Sequence, residues 1–245
     1  MSGKKRVYSC MISRAYHSAN LDIAVCEESA RICYVLIPDG LVTDARKWAG
    51  EAAPLHQCTI ALISGMDWNK DMTPWSAQGV MKKEKDFGGG ASTYIRELET
   101  DLIPNIEQML KIKASKRYLM GVSLSGLFSV WSIFKTALFD GIGSISGSFW
   151  FDGFTDFLKK GTPLSVPRVF MTLGVKEKNT SDKRLATVGD RSCDVVRILN
   201  EKNVPAILEM VPGTHFSPFG PRFNRALSYL VGEESTIDIS LRLPR

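Results

Sequence analysis

The segment Lys116 to Phe134, K-R-Y-L-M-G-V-S-L-S-G-L-F-S-V-W-S-I-F, constrains the fold more than any other stretch of this chain. A short apolar run, Tyr118 to Met120, leads into the small-residue turn G-V-S-L-S-G. Leu127, Phe128, Val130, Trp131, Ile133 and Phe134 then follow with almost no polar face. This pattern predicts a strand, a tight turn and a buried helix. A serine at the centre of such a turn has its hydroxyl pushed out of the packed layers, and the N–H after it points the same way. Ser123 holds that place. The turn departs from the nucleophile-elbow pattern G-x-S-x-G at its end: Ser125 stands where the second glycine is expected, and Gly126 comes one place later. The alternative is an ordinary helix start with Ser123 or Ser125 as N-cap.

A helix buried on all sides needs a sheet and further helices around it. Val7 to Tyr16, Leu21 to Cys26, Arg31 to Ile37 and Cys58 to Ser64 read as strands. So do Gly141 to Ser146, Arg168 to Leu173 and Pro205 to Val211. Thr43 is placed to cap a short helix, Asp44 to Ala49. From Ser92 the period is helical, with Pro104 expected to kink or split the helix. Further helices are expected within Phe149 to Lys160, over Arg184 to Asn200 and over Pro221 to Val231. Alternating strands and helices imply an α/β fold, a mostly parallel sheet covered on both faces, with the first strands antiparallel because short turns join them. The 245 residues are long enough for one such domain, 1–245. Residues 65–90 have no clear period and carry Gly88-Gly89-Gly90, which marks an active-site loop or lid.

Composition narrows the function classes. The net charge of +5 is modest, and the basic clusters (Lys82, Lys83, Lys85; Lys111, Lys113, Lys116, Arg117) read as solvated faces, so no nucleic-acid partner is expected. The five cysteines are odd in number and form no C-x-x-C pair, which suits buried free thiols in a reducing, cytoplasmic setting. No apolar run reaches membrane-spanning length, and the N-terminal run is too short and polar for a signal peptide. Three scattered histidines make no zinc set, and the triple glycine lacks the lysine of a P-loop. No metal or other cofactor is expected.

A serine hydroxyl needs a base beside it to act as a nucleophile. Where an elbow carries the nucleophile, the partners follow in the order serine, acid, histidine. Of His17, His56 and His215, only His215 follows Ser123, and it comes directly after the last expected strand. The acid is sought in the loop after Arg168 to Leu173, where Glu177 is the first candidate and Asp182 the second. Asp182 serves equally well as the cap of the next helix, and Asp190 and Asp194 are expected to face solvent. An oxyanion hole needs two N–H donors. Leu124 supplies one, and Gly40 or Leu41, in the turn after Arg31 to Ile37, the other.

Several short pieces, in order, extend this reading: I-P-D-G at 37–40, D-M-T-P-W at 71–75, G-G-G-A at 88–91, L-I-P-N-I-E at 102–107, G-V-S-L-S-G-L at 121–127, S-G-S-F-W at 146–150 and G-T-H-F at 213–216. Together they resemble the putative esterase family of α/β-hydrolases, which includes enterochelin esterase-like and esterase D-like enzymes. The resemblance implies a serine carboxylic-ester hydrolase with Ser123 as nucleophile, His215 as base and Glu177 as acid, and with D-M-T-P-W lining or bordering the site. Ser125 departs from the glycine usual there. Trp68, Trp75, Trp150 and Phe216 are candidates for an aromatic pocket around a small-molecule ester, with Phe149 as either pocket or core. Acyl transfer on the same triad, or a binding protein that has lost catalysis, are the competing functions. The oligomeric state stays open, a homo-oligomer included.

Overall fold

The computed structural model describes residues 10–16, 19–27, 29–80 and 85–232. Val7 to Ser9 of the first expected strand, His17 and the lysines at 82 and 83 lie outside these residues.

Among the described residues, eight strands form one sheet: β1 (Cys10–Tyr16), β2 (Ala19–Val25), β3 (Arg31–Leu36), β4 (Thr59–Ser64), β7 (Lys116–Val122), β8 (Gly141–Ile145), β9 (Arg168–Gly174) and β10 (Ala206–Val211). Their spatial order is β1-β2-β4-β3-β7-β8-β9-β10. The β1–β2 and β2–β4 pairs are antiparallel, and every pair from β4 to β10 is parallel. A small hairpin, β5 (Ser76–Ala77) with β6 (Phe87–Gly88), stands apart.

Strand β3 shows why the sheet is covered twice. Ile32, Tyr34 and Leu36 enter one apolar core, while Cys33, Val35 and Ile37 enter the other. Successive side chains of a strand point to opposite faces, so a continuous apolar run must be buried on both. The first core is closed by α3 (Ala91–Glu97), α4 (Ile103–Leu110), α5 (Leu124–Ser132), α6 (Phe154–Lys160) and α7 (Val188–Glu201). The second is closed by α1 (Val42–His56) and α8 (Gly220–Val231).

Several boundaries differ from the sequence expectation. Helix α1 runs to His56 in place of Ala49 and has no side-chain cap. Ala45, Trp48, Ala49, Ala52 and Ala53 form one buried stripe at helical spacing, and that burial carries the helix past Gly50 and through Pro54. Pro104 splits the helix expected from Ser92: α3 ends at Glu97, and α4 begins at Ile103 with the proline in its first turn. A π-helical turn, Leu98–Leu102, joins α3 to α4 and absorbs the missing proline N–H while Ile95, Leu98, Leu102 and Ile106 stay buried in one core. Helix α7 begins at Val188, after a 3₁₀ turn over Leu185–Thr187. Within 65–90 a short helix, α2 (Trp68–Asp71), precedes the small hairpin. Cys33 and Cys58 are buried free thiols and Cys26 is buried beside them, but Cys193 is exposed on α7, because its own position falls off the apolar stripe. No helix among the described residues is long and apolar enough to cross a membrane.

Candidate active site

All the groups of interest sit where the parallel strands end. Ser123 joins β7 to α5 in a left-handed conformation, φ 57° and ψ −120°. A non-glycine residue there is strained by roughly 1–3 kcal/mol. The turn is held by close packing. A Cβ at Gly121 would stand 2.3 Å from the Ser125 carbonyl oxygen, so only glycine fits. At Gly126 a Cβ would stand 2.7 Å from Ser144 Oγ and 3.1 Å from Gly147 Cα, so the late glycine is what lets α5 approach the end of β8. The Ser123 N–H is anchored on the Ile145 carbonyl at 3.0 Å.

His215 lies in the loop between β10 and α8. Its Nε2 is 3.2 Å from Ser123 Oγ. Its Nδ1 is 2.9 Å from Glu177 Oε2. Glu177 follows β9, and its loop is tied to the histidine loop by the Lys176 N–H, which donates to the Gly213 carbonyl at 3.0 Å. The second carboxylate oxygen, Oε1, accepts from the Gly174 N–H at 2.7 Å and from Ser146 Oγ at 2.6 Å. Burial alone would raise the Glu177 carboxyl. Hydrogen bonds from His215, Ser146 and Gly174, with the charge of His215, outweigh it and hold the group below the usual carboxylate range. Asp182 does not reach His215. Its Oδ1 accepts from the N–H groups of Arg184 and Leu185 at 2.8 and 2.9 Å, the capping role. Asp190 is exposed, and Asp194 pairs with Arg197 and Arg191 on α7.

Leu124 opens α5, where backbone N–H groups have no partner within the helix. Gly40 and Leu41 lie in a 3₁₀ turn that follows β3, and the Leu41 N–H is already donated to the Pro38 carbonyl at 2.9 Å.

Two clefts meet at Ser123 and His215. One, about 850 Å³, is lined by Gly40, Leu41, Trp48 and Asn224 among others. The second, about 700 Å³, is lined by Leu124, Ser148, Trp150 and Lys176 among others. Trp68 and Phe216 line both, so they stand at the junction. Phe216 is 93% exposed and sets its ring edge-on to His215 at 5.4 Å.

Other aromatic residues fall elsewhere. Trp75 lines neither cleft. It packs on Phe151 and Phe157 and donates its indole N–H to the Asp152 carbonyl at 3.0 Å. Phe149 is core, stacked on Phe154. The D-M-T-P-W stretch stands one layer behind the site: Asp71 accepts from the Asp67 N–H at 2.9 Å, which fixes the turn that carries Trp68.

Three polar residues near the site were not anticipated. Ser148 Oγ lies 3.2 Å from Ser123 Oγ and is 1% exposed. Ser146 is buried with φ 51°. Arg222, on α8, is 4% exposed and donates to Ser146 Oγ at 2.6 Å. The two serines belong to S-G-S-F-W, a stretch already marked by the resemblance. Arg222 had one signal: it occupies the stripe of Phe223, Ala226, Leu227 and Leu230, where an apolar side chain is the rule.

A family model described as Putative esterase matches residues 41–230. A protein of Bacillus subtilis (strain 168) named "Uncharacterized protein YbbA" is 31% identical over 176 residues, 66% of this chain and 69% of that one. Among solved structures, siderophore hydrolase EstA from Aspergillus nidulans superposes with TM-score 0.70 at 16% identity, covering 91% of this chain and 93% of its own. An IroE-like serine hydrolase from Shewanella oneidensis gives TM-score 0.70 at 18% identity, over 90% and 78%. Enterobactin hydrolase IroE, in complex with DFP, gives 0.67 at 24% identity, over 94% and 98%. These likenesses show that the fold is that of the α/β-hydrolases.

Proposed function

The chain belongs to the Putative esterase family and is an enzyme that acts on carboxylic esters, and from that premise we propose that it hydrolyses them through an acyl-enzyme on Ser123. His215 Nε2 takes the Ser123 proton as the oxygen attacks the ester carbonyl carbon. Glu177 holds the Nδ1–H and stabilises the imidazolium without taking its proton. The imidazolium then protonates the leaving alcohol, whose C–O bond to the acyl carbon breaks. A water, deprotonated by the same imidazole, attacks the acyl-enzyme and releases the acid and free Ser123. The N–H groups of Leu124 and Gly40 are the oxyanion donors; Gly40 is preferred to Leu41 because the Leu41 amide is engaged with Pro38.

The observation that carries this reading is the continuous contact from Ser123 Oγ through His215 to Glu177 Oε2, at 3.2 and 2.9 Å. Two clefts of about 850 and 700 Å³ on either side of the serine favour an ester with a sizeable group on each side of the scissile bond. Trp68, Trp150 and Phe216 are the aromatic surfaces that such groups meet. The free thiols at Cys33 and Cys58 support a cytoplasmic setting.

The test is hydrolysis of p-nitrophenyl esters of increasing acyl size by the wild type and by Ser123→Ala. The serine variant should lose on the order of 10³-fold or more in kcat. A wild type that neither turns over these esters nor is labelled at Ser123 by a fluorophosphonate overturns the acyl-enzyme mechanism.

A further inference from the structure

Behind the acid stands a buried cation that the acyl-enzyme mechanism does not use. The Arg222 side chain is 5% exposed and that of Glu177 is 3% exposed. Arg222 Nη1 donates to Ser146 Oγ at 2.6 Å, and Ser146 Oγ donates in turn to Glu177 Oε1 at 2.6 Å. The same Nη1 is 3.5 Å from Glu177 Oε1, too long for a good direct bond, so the serine is the link. The other guanidinium nitrogen, Nη2, donates to the Thr214 carbonyl at 2.9 Å. Thr214 is the residue before His215. One rigid fork therefore grips the acid on one arm and the backbone of the histidine loop on the other.

We propose that Arg222 is a positioning residue for the triad: through Ser146 it fixes Glu177, through the Thr214 carbonyl it fixes the loop of His215, and so it sets the distance between acid and base. This rests on the acyl-enzyme reading above.

The chemistry of the fork explains why arginine stands there. A guanidinium offers parallel donors in a fixed plane, whereas an ammonium is a point charge on a flexible stem. Electrostatic attraction alone would draw the direct Arg–Glu contact closer than the 3.5 Å found here, whereas both links through Ser146 are 2.6 Å. Ser146 completes the link at a cost in backbone strain: its left-handed φ of 51° is what turns its hydroxyl between the two charged groups. The site is assembled from the end of β8, the loop after β9, the loop after β10 and the first turn of α8. Displacing any one of them moves the Glu177–His215 contact.

The experiment measures kcat and KM for Arg222→Met, Arg222→Lys, Glu177→Gln and the double variant Arg222→Met/Glu177→Gln, with thermal unfolding in parallel. Arg222→Met is expected to lower kcat about 10- to 100-fold while KM changes less than about 3-fold, since misplacing a catalytic group by about 1 Å has that cost. Arg222→Lys should recover part of the loss. In the Glu177→Gln background, where the acid is already disabled, Arg222→Met should cost less than about 3-fold more. A residue that only supports folding would lower the melting temperature and leave this coupling absent. Wild-type kcat in Arg222→Met, or an undiminished loss in the Glu177→Gln background, overturns the proposal. If Arg222→Met does not fold, Arg222→Lys decides on the same readings, alone and with Glu177→Gln. Glu177→Gln at the wild-type rate would instead remove the triad reading itself, whereas an impaired Glu177→Gln beside an unimpaired Arg222→Met sinks this proposal alone.

Discussion

The Ser125 hydroxyl donates to the Leu36 carbonyl at 2.7 Å and accepts from the Val122 N–H at 2.8 Å. Leu36 ends β3, four residues before Gly40. The residue that breaks the glycine pattern of the turn thus ties the proposed nucleophile to the strand feeding the second proposed oxyanion donor. Ser125→Ala leaves both backbone groups without that partner in a fully buried place. It should lower the unfolding free energy by about 1–3 kcal/mol in urea melts, and kcat should fall while KM stays near its value. Unchanged stability would mean that the two backbone groups find other partners.

Glu177 and Asp182 offer a direct comparison within one loop. Glu177→Gln removes the carboxylate on His215 and should lower kcat by about 10²- to 10⁴-fold. Asp182→Asn keeps a good capping residue, so both kcat and melting temperature should stay close to wild type. Steady-state kinetics on the two variants decides it, and the reverse ranking would move the acid to Asp182.

Activity should rise with pH through the loss of one proton, because only the neutral imidazole of His215 accepts from Ser123. Glu177 stays ionised over that range, since its carboxyl is held low, so it adds no second proton to the acid limb. A kcat/KM profile with no acid limb would exclude His215 as base.

Stability follows the opposite end of the scale. Burial would raise Glu107, but the paired Arg117 guanidinium and the Tyr34 hydroxyl hold it low. Glu177 is lowered as well. A carboxyl lowered by folding stabilises the native state fully above its unfolded value, about 4.3, and that contribution is lost as pH falls through the folded value. Melting temperature should therefore drop below about pH 4, and Glu107→Gln should shrink the drop. Equal drops in the two proteins would show that Glu107 takes no part.

The aromatic residues should separate into two kinds. Phe216→Ala removes an exposed ring at the cleft junction, so stability should change by no more than about 0.5 kcal/mol while KM for bulky esters rises. Trp75→Ala removes a packed, hydrogen-bonded indole, and it should cost about 2–4 kcal/mol in stability with KM little changed. Melts and kinetics on both variants give the comparison.

Much of the fold was legible in the chain because it rests on periodic burial. Continuous apolar runs such as Arg31 to Ile37 must be strands covered twice, and the stripe at Ile95, Leu98, Leu102 and Ile106 must be a helical face. Boundaries were less legible where burial overrode a local signal, as at Gly50 and Pro54 in α1. Of the candidate site, Ser123 and His215 could be singled out because Ser123 follows β7 directly and His215 lies in the loop after β10, and a strand end fixes where the next residues lie.

What sequence alone determined, then, was the order of strand, turn and helix around Ser123 and the candidates on either side of it. Which of them meet is settled only once the chain is folded. Ser123 and His215 are 92 residues apart, and His215 and Glu177 are 38 apart. Their contact depends on strand register and on hydrogen bonds between loops, such as that from Lys176 to Gly213. The burial of Arg222 is the clearest case. In a helical pattern it is one charged residue on an apolar stripe. Its meaning comes from Ser146, Glu177 and Thr214, which three other strand ends bring to it, and no local period carries that information.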